Sequence, residues 1–183
     1  MVSSEKSLAE RAVFFDRDGT LMEDVDYCND PKQVFVYPGV REALARLKQH
    51  GYKNIIITNQ SGIGRGLITL EQYQQVQAAL LEQVGAENID AAYYCPETPS
   101  EPSTRRKPLP GMVFEAARDY DIDLSHSFFV GDKSADVGCG RNAGTRTILV
   151  ETGYGKTQKD SAPDFIAKDV VEAVGIILMT DST

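Results

Sequence analysis

The chain is punctuated by short apolar runs that recur at intervals. Residues 12–15 (AVFF) are continuously apolar and stop at Asp16, as expected of a buried parallel strand whose carboxyl end carries a polar site. Residues 53–58 (KNIIIT), 91–95 (AAYYC), 127–130 (SFFV) and 147–150 (TILV) repeat the pattern with β-branched or aromatic side chains. Between them the apolar positions follow a helical period. Residues 38–50 place Val40, Leu44 and Leu47 on one face, and Gly51 supplies a stop. Thr69 with Gln72 reads as a capping box opening a helix through Leu70, Tyr73, Val76, Leu80 and Val84. A further helix follows Pro110 and Gly111 with Met112, Val113 and Ala116; residues 134–143 and 169–179 supply two more, the former weakened by Gly138 and Gly140. Strands alternating with helices predict right-handed βαβ units, hence an α/β fold with a mostly parallel sheet covered on both faces and ligands at the carboxyl ends of its strands. Residues 96–110 are rich in proline and read as a loop.

A length of 183 residues fits one domain, residues 1–183, able to bury a core without disulfides. The formal net charge of -8 argues against a nucleic-acid partner, which would require a basic face. Cys28, Cys95 and Cys139 are an odd number at wide spacing, which fits a reducing compartment and a cytoplasmic address. Residues 1–11 have no apolar stretch of the kind an export signal needs, and no later run reaches membrane-spanning length. The expected protein is therefore cytoplasmic, without membrane contact, and monomeric.

Four polar clusters follow the predicted strands. Asp16-Arg17-Asp18-Gly19-Thr20 puts two carboxylates two residues apart, and Gly19 permits the turn that lets both meet one ligand. Thr58 ends the second run and leads into Asn59-Gln60-Ser61-Gly62, whose hydroxyl and amide groups suit phosphate oxygens. Arg105-Arg106-Lys107-Pro108 is a cationic knot in an acidic chain, and cations beside a carboxylate site neutralise a substrate phosphate. Gly131-Asp132-Lys133-Ser134-Ala135-Asp136 offers hard oxygen ligands of the sort Mg²⁺ prefers. Each cluster alone reads equally well as a solvated turn; four in order, each placed after a predicted strand, define a site. The glycines at 62, 64 and 66 do not make a dinucleotide fingerprint, because position 67 is Leu.

DRDGT, the Thr of ITNQSG, the Lys of RRKP and GDKSAD resemble the four motifs of the haloacid dehalogenase superfamily of phosphatases. That resemblance implies a Rossmann-like sheet, and the short stretches available after the first strand and between the second and third motifs leave no room for a large cap domain. Residues 21–37 then form a short flap, and the site is expected to be open. By the same resemblance Asp16 is the nucleophile, forming an aspartyl-phosphate, and Asp18 the general acid and base. Thr58 and Lys107 brace the phosphoryl group. Mg²⁺ is held by Asp16, the Asp18 carbonyl and Asp132, with Asp136 either a further ligand or an orienter of the others.

Within the superfamily, DRDGTL, TNQSGIGRG, YYCP and RKPLPGM are most similar to the family of bacterial D-glycero-D-manno-heptose 1,7-bisphosphate 7-phosphatases. This likeness implies a small phosphorylated sugar as substrate, contacted by Asp24, Tyr27, Asn59, Gln60, Ser61, Arg106 and Lys133. The zinc loop common there is reduced to Cys95 with Glu97 and Arg105 at two of the ligand positions, so structural zinc is not expected and an ion pair between Glu97 and Arg105 is expected instead. The short span from Cys95 to Arg106 also resembles histidinol-phosphate phosphatases. A phospho-accepting receiver module is the alternative from another class, since it too uses Asp, Thr, Lys and Mg²⁺ on a parallel sheet.

Overall fold

The computed structural model describes residues 9–181. Most of the amino-terminal stretch read above for an export signal, residues 1–8, lies outside them. Six parallel strands form one sheet in the order β3-β2-β1-β4-β5-β6: β1 (Arg11–Phe15), β2 (Tyr52–Asn59), β3 (Ala91–Cys95), β4 (Phe128–Gly131), β5 (Arg146–Val150) and β6 (Phe165–Ala167). The helices are α1 (Val40–Gln49), α2 (Ser61–Gly64), α3 (Leu70–Val84), α4 (Gly111–Tyr120), α5 (Ser134–Ala143) and α6 (Val170–Thr180). The five predicted strands and five predicted helices are all present. β6 and the single-turn α2 were not foreseen.

β1 is the central strand because every one of its positions beyond Arg11 is apolar and can be buried on both faces. Val13 and Phe15 point into a core built with α1, α3 and α6. Ala12 and Phe14 point the other way, into a smaller core with α4 and α5. Phe14 stacks on Phe129 of β4 with ring centroids 6.3 Å apart, and burying each such ring contributes about 2–3 kcal/mol. Both glycines that weakened the α5 prediction have packing roles: a Cβ on Gly138 would lie 2.9 Å from the Cβ of Pro108, and one on Gly140 would lie 2.6 Å from the Cβ of Phe129, so glycine lets α5 sit this close to the sheet. Thr69 and Gln72 form the reciprocal capping box at the start of α3.

The strand order places the site. From β1 the chain builds outward through β2 and β3, then returns to the opposite side of β1 with β4. The reversal opens a crevice between the carboxyl ends of β1 and β4, where open α/β sheets bind ligands. Phe15 pairs with Val130 in register, so Asp16 emerges beside Gly131 and Asp132. Among the described residues no helix is long and apolar enough to cross a membrane.

Candidate active site

Asp16, Asp132 and Asp136 converge at this crevice, with one carboxylate oxygen from each lying within 4.8 Å of the others. All three are buried. Lys107 enters from the loop after β3 and places its Nζ 2.6 Å from Asp16 Oδ1 and 2.7 Å from Asp136 Oδ1, while donating to the Ile57 carbonyl at 2.8 Å. Asn59 fixes the lysine backbone from both sides: its Oδ1 accepts from Lys107 N at 3.1 Å and its Nδ2 donates to Lys107 O at 3.2 Å. The cationic knot thus contributes one buried ammonium to the site.

Asp132 is held by backbone. Its Oδ2 accepts from Tyr154 N at 2.8 Å, and Gly19 and Gly153, both at positive φ, pack against it so closely that a Cβ at either would collide with Oδ2. Its Oδ1 is buried with no hydrogen-bond partner. A buried carboxylate oxygen left in this state calls for a cation. Three carboxylates facing the ammonium of Lys107, with that of Lys133 at the cavity wall, leave an excess of negative charge, so the donor set fits a divalent, oxygen-seeking ion such as Mg²⁺. Asp136 is differently engaged, since Oδ1 meets Lys107 and Oδ2 accepts from Lys133 N at 2.9 Å.

Burial is the largest cause raising the Asp16 carboxyl to about 8, followed by the like charge of Asp136, with Lys107 acting in the opposite direction. Asp132 is raised to about 6, again chiefly by burial. Lys107 is held above the ordinary lysine range because Asp136 and Asp16 together outweigh its own desolvation. The unfolded carboxyls titrate near the ordinary aspartate value of 3.8, so between there and about 8 the metal-free fold binds more protons than the unfolded chain. Its stability therefore falls as pH rises through that window. A cation binding the ionised cluster offsets this loss. The increase in melting temperature on adding Mg²⁺ is expected to be larger near pH 8 than near pH ~5.5; an increase independent of pH would contradict the assigned cluster.

Asp18 sits two residues beyond Asp16 with both oxygens engaged. Arg17 Nε and Nη2 donate to Oδ2 and Oδ1, each at 3.0 Å, and Gln60 Nε2 donates to Oδ2 at 2.9 Å. The same Gln60 nitrogen donates to Thr58 Oγ1 at 2.9 Å. A small inner cavity of about 60 Å³ is walled by Asp16, Asp18, Asn59, Lys107, Lys133, Ala135 and Asp136. An outer cavity of about 270 Å³ shares Asp18, Asn59 and Lys133 with it and adds Arg17, Asp24, Asp26, Tyr27, Gln60, Ser61 and Tyr154. The site is open only at this outer level, because Asp16 retains 5% of its surface.

The structure thus gathers Asp16, Asp18, Lys107, Asp132 and Asp136, and lines the outer cavity with Asp24, Tyr27, Asn59, Gln60, Ser61 and Lys133. Thr58 is joined to them through Gln60 and walls neither cavity; Arg106 also walls neither, and its Nη1 donates to the Glu97 carbonyl at 3.0 Å. The expected Glu97–Arg105 ion pair is not formed. Arg105 pairs instead with Glu115 of α4 at 2.8 Å, and Glu97 accepts from the Cys95 thiol at 2.8 Å. A carboxylate partner on the neighbouring helix outcompetes one within the loop, since Ser103 Oγ, accepting from Arg105 N and Arg106 N, already turns the loop toward α4. Sequence reasoning missed Tyr154, whose amide holds Asp132 and whose ring lies 4.8 Å from Lys133 Nζ. The flanking glycines at 153 and 155 were its available signal.

A family model described as HAD-hydrolase-like matches residues 104–173. The chain is 37% identical to the D-glycero-D-manno-heptose-1,7-bisphosphate 7-phosphatase of Chlorobaculum tepidum, over 92% of this chain and 94% of the relative. It is 39% identical to the enzyme of the same name from Thermosynechococcus vestitus, over 89% and 93%. The chain belongs to the family of haloacid-dehalogenase-like phosphatases. Among solved structures, the D,D-heptose 1,7-bisphosphate phosphatase of B. bronchiseptica, complexed with magnesium and phosphate, is similar with a TM-score of 0.86 at 30% identity, over 93% of this chain and 99% of that one.

Proposed function

We propose that the protein is a Mg²⁺-dependent phosphatase that removes the 7-phosphate of D-glycero-D-manno-heptose 1,7-bisphosphate through an aspartyl-phosphate at Asp16. The observation that carries this reading is the buried cluster of Asp16, Asp132, Asp136 and Lys107, opening through a narrow inner cavity into a wider polar one. The wider cavity carries Asp26 and an Asp24 carboxylate whose Oδ2 accepts from Lys133 Nζ at 3.0 Å, charged groups able to meet hydroxyls and a phosphate, which suits a phosphorylated polyol. Relatives named for this substrate, identical at 37% and 39% over most of the chain, support the assignment.

In the proposed reaction an Asp16 carboxylate oxygen attacks phosphorus, and the bond from phosphorus to the sugar oxygen breaks. Asp18 gives its proton to that oxygen. Asp18 then takes a proton from water as the water attacks phosphorus, and the bond to Asp16 breaks to release inorganic phosphate. Lys107 balances the charge carried by the phosphoryl oxygens, and Thr58, whose Oγ1 accepts from Gln60, braces the group. Asp16, the Asp18 carbonyl and Asp132 would hold Mg²⁺, and Asp136 orients Lys107. Bound Mg²⁺ supplies charge neutralisation for the nucleophile and the transferring group.

A receiver module is disfavoured because the flavodoxin-like order of such folds, 2-1-3-4-5, differs from the order here, and because Thr58 ends the neighbouring strand. Histidinol phosphate is the remaining competitor. The heptose bisphosphate is expected to be hydrolysed with a kcat/KM about 100-fold or more above that of histidinol phosphate, because the amino alcohol has neither a second phosphate nor a polyol chain to meet the polar groups of the wider cavity, and its ammonium is repelled by Lys133. Equal or reversed values would overturn the substrate assignment. We read the loop of residues 96–110 as zinc-free, and stoichiometric zinc on metal analysis would contradict that. The three cysteines are buried and free, which supports a cytoplasmic enzyme.

A further inference from the structure

Arg17 is out of place in a purely structural account. Its side chain is buried to 1% exposure inside the turn after β1, stacked with its guanidinium carbon 5.5 Å from the Tyr73 ring centre, and its Nη1 is buried with no partner. A buried ion pair rarely stabilises a fold more than an apolar side chain of the same volume, and an unpaired N–H makes the comparison worse. What Arg17 does accomplish is geometric. Its fork reaches both oxygens of Asp18, and a guanidinium presents those two donors in one fixed plane.

Gln60 works from the other side. An amide nitrogen has two hydrogens, and both are committed, one to Asp18 Oδ2 and one to Thr58 Oγ1. Asp18 Oδ2 therefore accepts from two donors, Arg17 Nε and Gln60 Nε2, whereas Oδ1 accepts only from Arg17 Nη2. The two oxygens are not equivalent.

We infer that Arg17 and Gln60 are positioning residues that clamp Asp18, saturating Oδ2 and leaving Oδ1 as the oxygen that carries the proton to the leaving sugar oxygen and takes one from water. The inference rests on the acid and base role proposed for Asp18. It changes the reading of Gln60, which acts on the substrate through Asp18, and it adds Arg17 to the residues on which the reaction depends. Neither side chain exchanges a proton or touches phosphorus. Their effect is to hold the Asp18 carboxylate in one orientation, with Oδ1 the less engaged oxygen, at the inner cavity that it walls together with Asp16.

A leaving group that needs no proton separates positioning from general damage. The sugar alkoxide is a poor leaving group and needs the acid, whereas nitrophenolate does not. Arg17→Met is expected to lower kcat on heptose 1,7-bisphosphate by about 30-fold or more with KM within about threefold, because a general acid contributes roughly 100- to 10,000-fold and misplacement forfeits part of that. The pre-steady-state burst of nitrophenolate from p-nitrophenyl phosphate is expected to stay within about threefold of the unsubstituted enzyme. Arg17→Lys, which keeps charge without the fork, should show the same split and recover little of the lost kcat. Should Arg17→Met fail to fold by circular dichroism, Arg17→Lys carries the test with the same outcomes. Equal losses on both substrates, or an undiminished kcat on the sugar phosphate, would overturn the clamp while leaving Asp18 in its role. Failure of the parent reading looks different: Asp18→Asn would then remain active on the sugar phosphate, and the clamp would fall with it.

Discussion

Asp16→Asn is expected to lose turnover by about 10,000-fold or more, because an amide cannot form the acyl-phosphate and no neighbouring side chain can take its place. Of the other carboxylates of the cluster, Asp132 does not wall the inner cavity, and Asp136 has both oxygens engaged, by Lys107 and by the Lys133 amide. The fold should survive. Asparagine has nearly the same shape, and burial already disfavours the ionised form of Asp16, whose carboxyl is pushed up to about 8. Removing that charge from the metal-free cluster should leave the melting temperature unchanged or higher at pH ~8. Phosphate release measured beside circular-dichroism melts checks both halves, and a folded, active variant would show that another group is the nucleophile.

Lys107→Met should damage both activity and stability, by separable routes. The ammonium is the cation that Asp16 and Asp136 share, and it also caps the Ile57 carbonyl at the end of β2. Breaking a buried pair by removing one partner costs about 3–5 kcal/mol, since the remaining charges stay buried without compensation. Loss of a charge clamp on the phosphoryl group removes about 100- to 1,000-fold in kcat. Saturating Mg²⁺ should restore much of the stability, because it supplies positive charge to the same carboxylates. It should not restore kcat, because the ion does not donate hydrogen bonds where Nζ did. Recovery of both together would mean that Lys107 serves only as a counter-ion.

The fold was legible wherever an element carries a strong periodic signal. β1 through β5 are apolar runs, and α1, α3 and α6 have apolar stripes, so pattern alone found them. β6 escaped because it has three residues with Ile166 exposed, too short and too mixed to read as a run. Asp16, Asp18 and Asp132 were legible because each stands just beyond a strand end in a recognisable motif, and Lys107, well past the end of β3 in the following loop, was legible from its run of cations. Groups that act through backbone were not: the Tyr154 amide holds Asp132 whatever its side chain is, and only the two neighbouring glycines hinted at a close approach. The Glu97–Arg105 expectation failed for a related reason. Adjacency in a loop said nothing of Glu115, ten residues farther along on α4, which is the partner Arg105 reaches. Arg106 was assigned to substrate from its motif, but its direction depends on the Glu97 carbonyl, which only the folded loop reveals.

The account stands on a covalent step at one carboxylate. Rapid mixing of the Mg²⁺-loaded enzyme with substrate carrying radiolabelled phosphate, an acid quench on the turnover timescale and peptide mapping test it directly. The expected result is transient label on the peptide of β1 at Asp16, formed at least as fast as turnover and absent from Asp16→Asn. Label on a different residue, or full-rate hydrolysis with no labelled protein at any time, would contradict it.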